Sequence, residues 1–381
     1  MQNRRESRLG GILADDPAPA PEKPLDITAD WLTAVLRAEG ALPAHSRVVD
    51  FASEPIGEGV GLLGSLVRVT PRYAPGAADG PRSLIGKFST DNLGNRAVGM
   101  AFDIYRREIG FYTRVAPKLP GVAPRCYAAD YNAASGAGVL LLEDLGDYRM
   151  GDQVEGCTAD DAAKLIALVA PMHAKYWGRT ASPALQFAPA IDGAMQVEGF
   201  SYGVAAGWDP CAECFGHVIA PEILSRKDAF VAAVPPLSRM MAAPVQTLVH
   251  GDLRLDNVMF GRNPTHRPAV AIDWIVTFSA GVHDLAYLFG QNLQLEARRT
   301  HERKLVEHYA VLLAGYGVED YSVEQAWQDY LSALLYIFTY GVVIAGTLDR
   351  SNARAFKMME QLLARASAAV IDHDLLGRLP S

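Results

Sequence analysis

The sequence predicts an α+β fold of two lobes, a small β-rich N-terminal lobe and a large, mainly helical C-terminal lobe. Three observations carry this. Short extended runs, separated by turn residues, fill the chain from about residue 47 to Leu145. Beyond Leu145, helical apolar spacing dominates. Within that helical part, "LVHGDLRLDNVMF" (248–260) begins and ends as apolar strand but carries His250, Asp252, Arg254, Asp256 and Asn257 between. Buried charge needs a partner or a metal, so this polar interruption marks chemistry.

Taken in order, residues 1–24 are rich in Ala, Pro and charge and read as a flexible tail. "DITADWLTAVLRAEG" has a capping-type start and helical spacing. "RVVDFASEPIG" and "GSLVRVTPRYA" are strands flanking a glycine-rich turn, and "SLIGKFST" is a third. One helix is expected around "GMAFDIYRREIGFYTRVA", then a hairpin from "RCYAADY" and "GVLLLEDL". These elements make up an N-lobe over 25–144 and leave 145–381 as the C-lobe. There "TADDAAKLIALVAPMHAKYWG" opens with Thr158 as N-cap, and most of the remaining chain is helical except the polar motif and "AVAIDWIVTF". Leu331–Leu348 is uncharged for 18 residues, the bare length of a membrane span. Its Ser, Thr and Gly content and lack of flanking basic clusters favour a core helix, so no membrane span is expected.

Net charge is −8, and no long basic run argues for nucleic acid. The N-terminus has no continuous apolar stretch of the secretory kind, and four cysteines in a chain this long make no disulfide framework. A reducing, cytoplasmic setting is expected.

Four features then line up. Gly57, Gly59, Gly61 and Gly64 form a turn between strands, where backbone N–H groups could approach phosphates. Read from Gly59, the run nearly matches a P-loop, but Ser65 follows Gly64 directly with no lysine, and a strand follows. Lys87 sits inside an apolar strand and Glu108 on the next helix. Alone each is ordinary; together they can form the ion pair that aims a lysine at nucleotide phosphates. Asp252 and Asn257 are five residues apart, the catalytic-loop spacing of protein kinases. Asp273 ends a short strand, where a metal-binding aspartate belongs in that scheme, and Asn257 and Asp273 supply the oxygen that Mg²⁺ prefers. Asp256 and Asp284 read as structural carboxylates holding the loop.

"LVHGDLRLDNVMF" followed by "AIDWIVTFSAGVHDLAYLFG" resembles the aminoglycoside phosphotransferase and choline kinase superfamily. "LLLEDLGDYRMGDQVEGC", "MHAKYWG" and "RREIGFY" are most similar to bacterial ecdysteroid kinase-like members. The resemblance covers about residues 25–375 and implies a protein-kinase-like bilobal fold using ATP and Mg²⁺. It implies Asp252 as catalytic base, Asn257 and Asp273 as metal ligands, and Lys87, braced by Glu108, on the α- and β-phosphates. The turn from Gly59 through Gly61 and Gly64 to Ser65 would cover the triphosphate. Glu143, Asp144 and Leu145 would form the hinge whose backbone meets adenine. His250 would orient the loop backbone and Asp284 support it. Ile275 departs from the polar residue many relatives carry after "IDW", which removes a local hydrogen bond but not the metal site.

The expected acceptor is a hydroxyl of a small, largely apolar molecule, steroid- or terpenoid-like. The segment 185–245 is rich in Phe187, Phe200, Tyr202, Trp208, Phe215, Phe230, Met195, Met240 and Met241, although these side chains could simply pack the lobe. An aminoglycoside or a hydroxyacyl thioester is the alternative acceptor. "GFSYG" (199–203) also matches a serine-hydrolase elbow at Ser201, but "DGAMQVEGF" is a poor buried strand before it. Cys211 and Cys214 in "CAEC" lack the second pair that a zinc site needs.

Overall fold

Alternation of apolar and polar positions builds the first sheet. The computed structural model describes residues 19–57, 64–76, 80–348 and 350–380. Contacts divide the chain into two units, one ending at Asp147 and one beginning at Tyr148.

In unit 1, strands β1 (Val48–Ile56), β2 (Gly64–Tyr73), β3 (Leu84–Ser89), β4 (Cys126–Asn132) and β5 (Ala137–Glu143) form one antiparallel sheet in the order β1-β2-β3-β5-β4. Helix α1 (Ala29–Ala38) starts at Thr28, whose hydroxyl accepts from Trp31 N at 3.1 Å. A side-chain cap of this kind is worth about 1 kcal/mol. Trp31, Leu32 and Leu36 of α1 join Val67, Val69, Leu84, Phe88, Val139 and Leu141 in one core. Lys87 pairs with Leu66 and Leu140, one position out of phase with that set, so it stands on the opposite face of the sheet.

The single helix expected after β3 is two helices, α2 (Leu93–Ala101) and α3 (Ile104–Arg114). Asp103 between them has φ +54°, a left-handed conformation that Asp tolerates better than most residues. The break re-aims α3, and Glu108 lies buried on it. Residues 19–24, expected as tail, lie against unit 1: Pro21 is buried and Glu22 accepts from Asn132 Nδ2 at 3.1 Å.

Unit 2 is mainly helical, with β6 (Arg149–Met150), β7 (Gln246–Val249), β8 (Val258–Phe260), β9 (Ala269–Ala271) and β10 (Thr277–Ala280) as short strands. These pair as β10-β7 and as β6-β8-β9. Its helices are α4 (Ala159–Tyr176), α5 (Ala194–Phe215), α6 (Pro221–Leu224), α7 (Lys227–Ala242), α8 (Val282–Gln291), α9 (Leu295–Gly315), α10 (Val323–Gly346) and α11 (Ala353–Asp372). Thr158 caps α4 as its sequence suggests, accepting from Asp161 N at 3.2 Å. The apolar helix α10 is long enough to cross a membrane, but 67% of its apolar window is buried inside the unit, against α5, α7, α8, α9 and α11. It is the core helix. Gly207 lets α5 approach it closely: a Cβ there would stand 2.7 Å from the Val342 carbonyl.

Candidate active site

The polar motif of unit 2 is a loop strung between β7 and β8 and tied down by buried partners. Gly251 has φ +85°, a turn position that favours glycine. Asp284, fully buried at the start of α8, accepts from His250 N at 2.7 Å and Gly251 N at 3.1 Å. His173 Nε2 lies 3.2 Å and His283 Nδ1 3.4 Å from the same carboxylate. Burial alone would raise the Asp284 pKa, but the hydrogen bonds from His173 and His283 outweigh it and hold the group far below the usual carboxylate range. His250 is fully buried, and burial lowers its pKa, so the ring is neutral. Its Nε2 donates to Ile272 O at 3.0 Å, its Nδ1 accepts from Asp252 N at 3.2 Å, and its ring lies tilted at 38° against Trp274, centroids 4.4 Å apart. Leu253 and Leu255 point into the core, and Leu255 N donates to Asn292 Oδ1 at 3.1 Å.

This scaffold presents Asp252 in one orientation. Asn257 Nδ2 donates to Asp252 O at 3.0 Å and to its Oδ2 at 2.8 Å. Arg254 Nε approaches the same Oδ2 at 3.3 Å. The side chain is only 17% exposed, and both of these side-chain contacts fall on Oδ2 rather than Oδ1. The Tyr287 phenol is fully buried beside this carboxylate. Burial first, then the Asp252 charge, push its pKa well up, so it stays neutral. Ile272 N donates to Asn257 O at 2.9 Å, which brings the end of β9 to the loop. Asp273 follows with φ +57°, a left-handed backbone that sets the direction of its carboxylate. Asp256 faces away from this group. It accepts from Gln153 N at 3.1 Å and from both terminal nitrogens of Arg354, at 3.0 and 3.3 Å.

In unit 1, Lys87 Nζ donates to Glu108 Oε1 at 2.7 Å, with side chains 20% and 8% exposed. An ion pair this buried is kept at a desolvation cost, so it points to a use beyond stability. Asp144 accepts from Arg68 Nε at 2.8 Å and Gly146 N at 2.9 Å, and Glu143 Oε2 accepts from Arg125 N at 2.9 Å. Both carboxylates are therefore engaged within unit 1, and Leu145 is buried. Gly64 and Ser65 open β2, where a Cβ on Gly64 would meet Phe88 O at 3.0 Å; Gly59 and Gly61 lie outside the described residues.

Several expectations change. Trp208, Phe215, Phe230 and Met241 are core side chains of unit 2 because α5 and α7 need an apolar face inward, and Phe187, ahead of α5, is buried with them; all are at most 4% exposed and line no open surface. Phe200 is half-buried against Tyr336 and Tyr340, while Met195 and Tyr202 are exposed. "GFSYG" lies inside helix α5, so Ser201 has no strand-to-helix elbow and the hydrolase reading falls. Cys211 is buried in the same helix, and burial pushes its thiol up to about 12. Among the described residues no cluster of three His, Cys, Asp or Glu side chains is placed to hold a metal. Tyr287 and His173 lie against this group without having been singled out in the sequence, although His173 sits in the "MHAKYWG" landmark.

The sequence model of the ecdysteroid kinase-like family matches residues 59–316. The chain belongs to the ecdysteroid kinase-like family. This ecdysteroid kinase-like chain is thereby a small-molecule kinase, a transferase of phosphoryl groups. The matched span includes Lys87, Glu108, Asp252, Asn257, Asp273 and Asp284, and it ends before α10 and α11. Among solved structures it is similar to a Plasmodium vivax ethanolamine kinase at 13% identity and TM-score 0.50, over 90% of this chain and 89% of that one. It is also similar to the GDP and kanamycin complex of the aminoglycoside phosphotransferase APH(2")-IIia, at 13% identity and TM-score 0.50, over 90% of this chain and 99% of the other. These likenesses show the kinase-like α+β fold. No curated protein sequence matches this family member.

Proposed function

We propose that this kinase transfers the γ-phosphoryl group of ATP, with Mg²⁺, to a hydroxyl of a small, largely apolar molecule. The observation that carries the reading is the loop that pins Asp252 Oδ2 through Asn257 at 2.8 Å, so that Oδ1 would meet the acceptor. Asp252 would accept the hydroxyl proton and hold the oxygen in line with phosphorus. The transition state of such transfers is loose, so positioning matters more than base strength. Lys87, fixed by Glu108, would hold the α- and β-phosphates, and backbone groups of Glu143 to Leu145 would meet adenine.

The donor set fits Mg²⁺. Asn257 Nδ2 is engaged by Asp252, so its Oδ1 would be the ligand atom, and Asp273 would add a carboxylate. Mg²⁺ commonly takes one or two protein oxygens and completes its shell with water and phosphates, which agrees with a site of so few protein ligands. Bound there, the ion would neutralise phosphate charge. Asp256 and Asp284 hold the loop and touch no substrate.

The apolar acceptor is supported by the half-buried pair Phe200 and Tyr340, whose rings lie 5.4 Å apart, with Tyr340 5.8 Å from the buried Tyr287 ring beside Asp252. A cytoplasmic setting goes with this reading, since Cys126, Cys157, Cys211 and Cys214 all stay as thiols. The test is purified protein with Mg-ATP and a panel of hydroxylated compounds first screened for binding. Transfer of phosphate to an apolar alcohol supports the reading. Compounds that bind but are never phosphorylated would sink it.

A further inference from the structure

We propose that Arg254 binds the γ-phosphoryl group of the bound nucleotide. This rests on the phosphotransfer reading above and adds a residue to it. The Arg254 stem is fixed: its N donates to Asp252 O at 2.8 Å, its O accepts from Asn257 N at 2.9 Å, and its neighbours Leu253 and Leu255 are buried. Among the described residues its guanidinium makes one ion pair, Nε to Asp252 Oδ2 at 3.3 Å. That nitrogen is buried and forms no hydrogen bond, and among the described residues the terminal nitrogens have no partner. Asp252 first, with Asp256 and Asp273 behind it, keeps the group firmly protonated. A fixed, charged fork with its donors unengaged is suited to a phosphate, which it can meet at two oxygens at once.

Reach decides which anion comes there. The acceptor oxygen must sit about 2.6–3.2 Å from the Asp252 carboxylate to pass its proton. The γ-phosphorus must sit about 3–3.5 Å from that oxygen for in-line attack. The phosphoryl oxygens therefore come within the span of a guanidinium 3.3 Å from the same carboxylate. As the acceptor oxygen bonds to phosphorus, the β,γ-bridging P–O bond breaks, ADP leaves with the electron pair, and the hydroxyl proton passes to Asp252. Arg254 holds the charge on the phosphoryl oxygens throughout. The rival role, neutralising the carboxylates of the loop, would leave nucleotide discrimination untouched.

The test is calorimetric binding of Mg-ATP and Mg-ADP to the full chain, as wild type, Arg254→Met and Arg254→Lys, with melting curves for each. Wild type should bind ATP more tightly than ADP. Arg254→Met should lose about tenfold to a hundredfold in ATP affinity, the worth of a charge-assisted hydrogen bond or two, with ADP affinity unchanged. Arg254→Lys should keep part of the difference. An unchanged ATP-to-ADP ratio in a folded Arg254→Met protein overturns the proposal, as does a loss confined to the KM of an anionic acceptor. If Arg254→Met fails to fold, the ratio in Arg254→Lys decides: equal to wild type, it overturns the proposal; reduced through ATP alone, it supports it. Wild-type protein that binds neither nucleotide would instead remove the phosphotransfer reading itself.

Discussion

Asp284→Asn should loosen the loop between β7 and β8. The carboxylate faces four N–H groups: His250 N and His173 Nε2 at Oδ2, Gly251 N and His283 Nδ1 at Oδ1. Whichever way the asparagine amide turns, its NH₂ confronts two of them. Each buried donor left without an acceptor costs about 1–3 kcal/mol, so the variant should lose about 4 kcal/mol. For a unit of this length, at about 2–4 °C per kcal/mol, the melting temperature should fall by about 10 °C. Far-UV circular dichroism melts at neutral pH read this directly. The dependence on pH has a definite sign. The folded Asp284 pKa is depressed, so its stabilisation is complete above the ordinary carboxylate range and is lost only as pH falls through the folded value. The gap between wild type and variant should therefore stay constant from about pH 5 to about pH 8. A variant melting within about 2 °C of wild type would refute the view that this carboxylate anchors the loop.

The same geometry sets four other outcomes. If Asp252 serves the acceptor as proposed, Asp252→Asn should lower kcat by about 10²–10⁴ while leaving ATP affinity intact; turnover with parallel titration separates the two. Glu108→Gln should weaken ATP binding by about tenfold, because Lys87 loses the charge that aims it, and a fluorescent nucleotide competition assay checks this. His250 is held neutral by burial, so the unfolded chain takes up a proton first and stability should fall as pH drops below about 6.5. His250→Asn should flatten that slope in melts across pH, although its midpoint is lower throughout. Gly207→Ala should cost about 1–3 kcal/mol in urea unfolding, because a Cβ would press on the Val342 carbonyl where α5 crosses α10.

Much of the site is legible in local spacing. Asp252 and Asn257 meet because a short turn spans the residues between them, and Lys87 faces away from the α1 core because strands alternate. The Lys87–Glu108 pair also forms as the order of strand and helix suggests. The aromatic set of 185–245 was not decidable in this way. Phe187 and Tyr202 look equally fit for a pocket in sequence, yet one is 3% and the other 77% exposed. Helical spacing gives which residues share a face but not which face meets a neighbour.

What the sequence by itself determined is the order of lobes, the strands of the first sheet and the kinase-type motif, because each depends on periodicity or on residues a few positions apart. What only the tertiary structure decided is how the loop is held and what surrounds it. Asp284 meets His173 from α4 and His283 from α8, Arg354 reaches Asp256 from α11, and Tyr287 comes to lie beside Asp252. All but the one from His283 join residues far apart in the chain. They exist because burying polar groups demands partners, and only the folded arrangement of helices determines which partners are near.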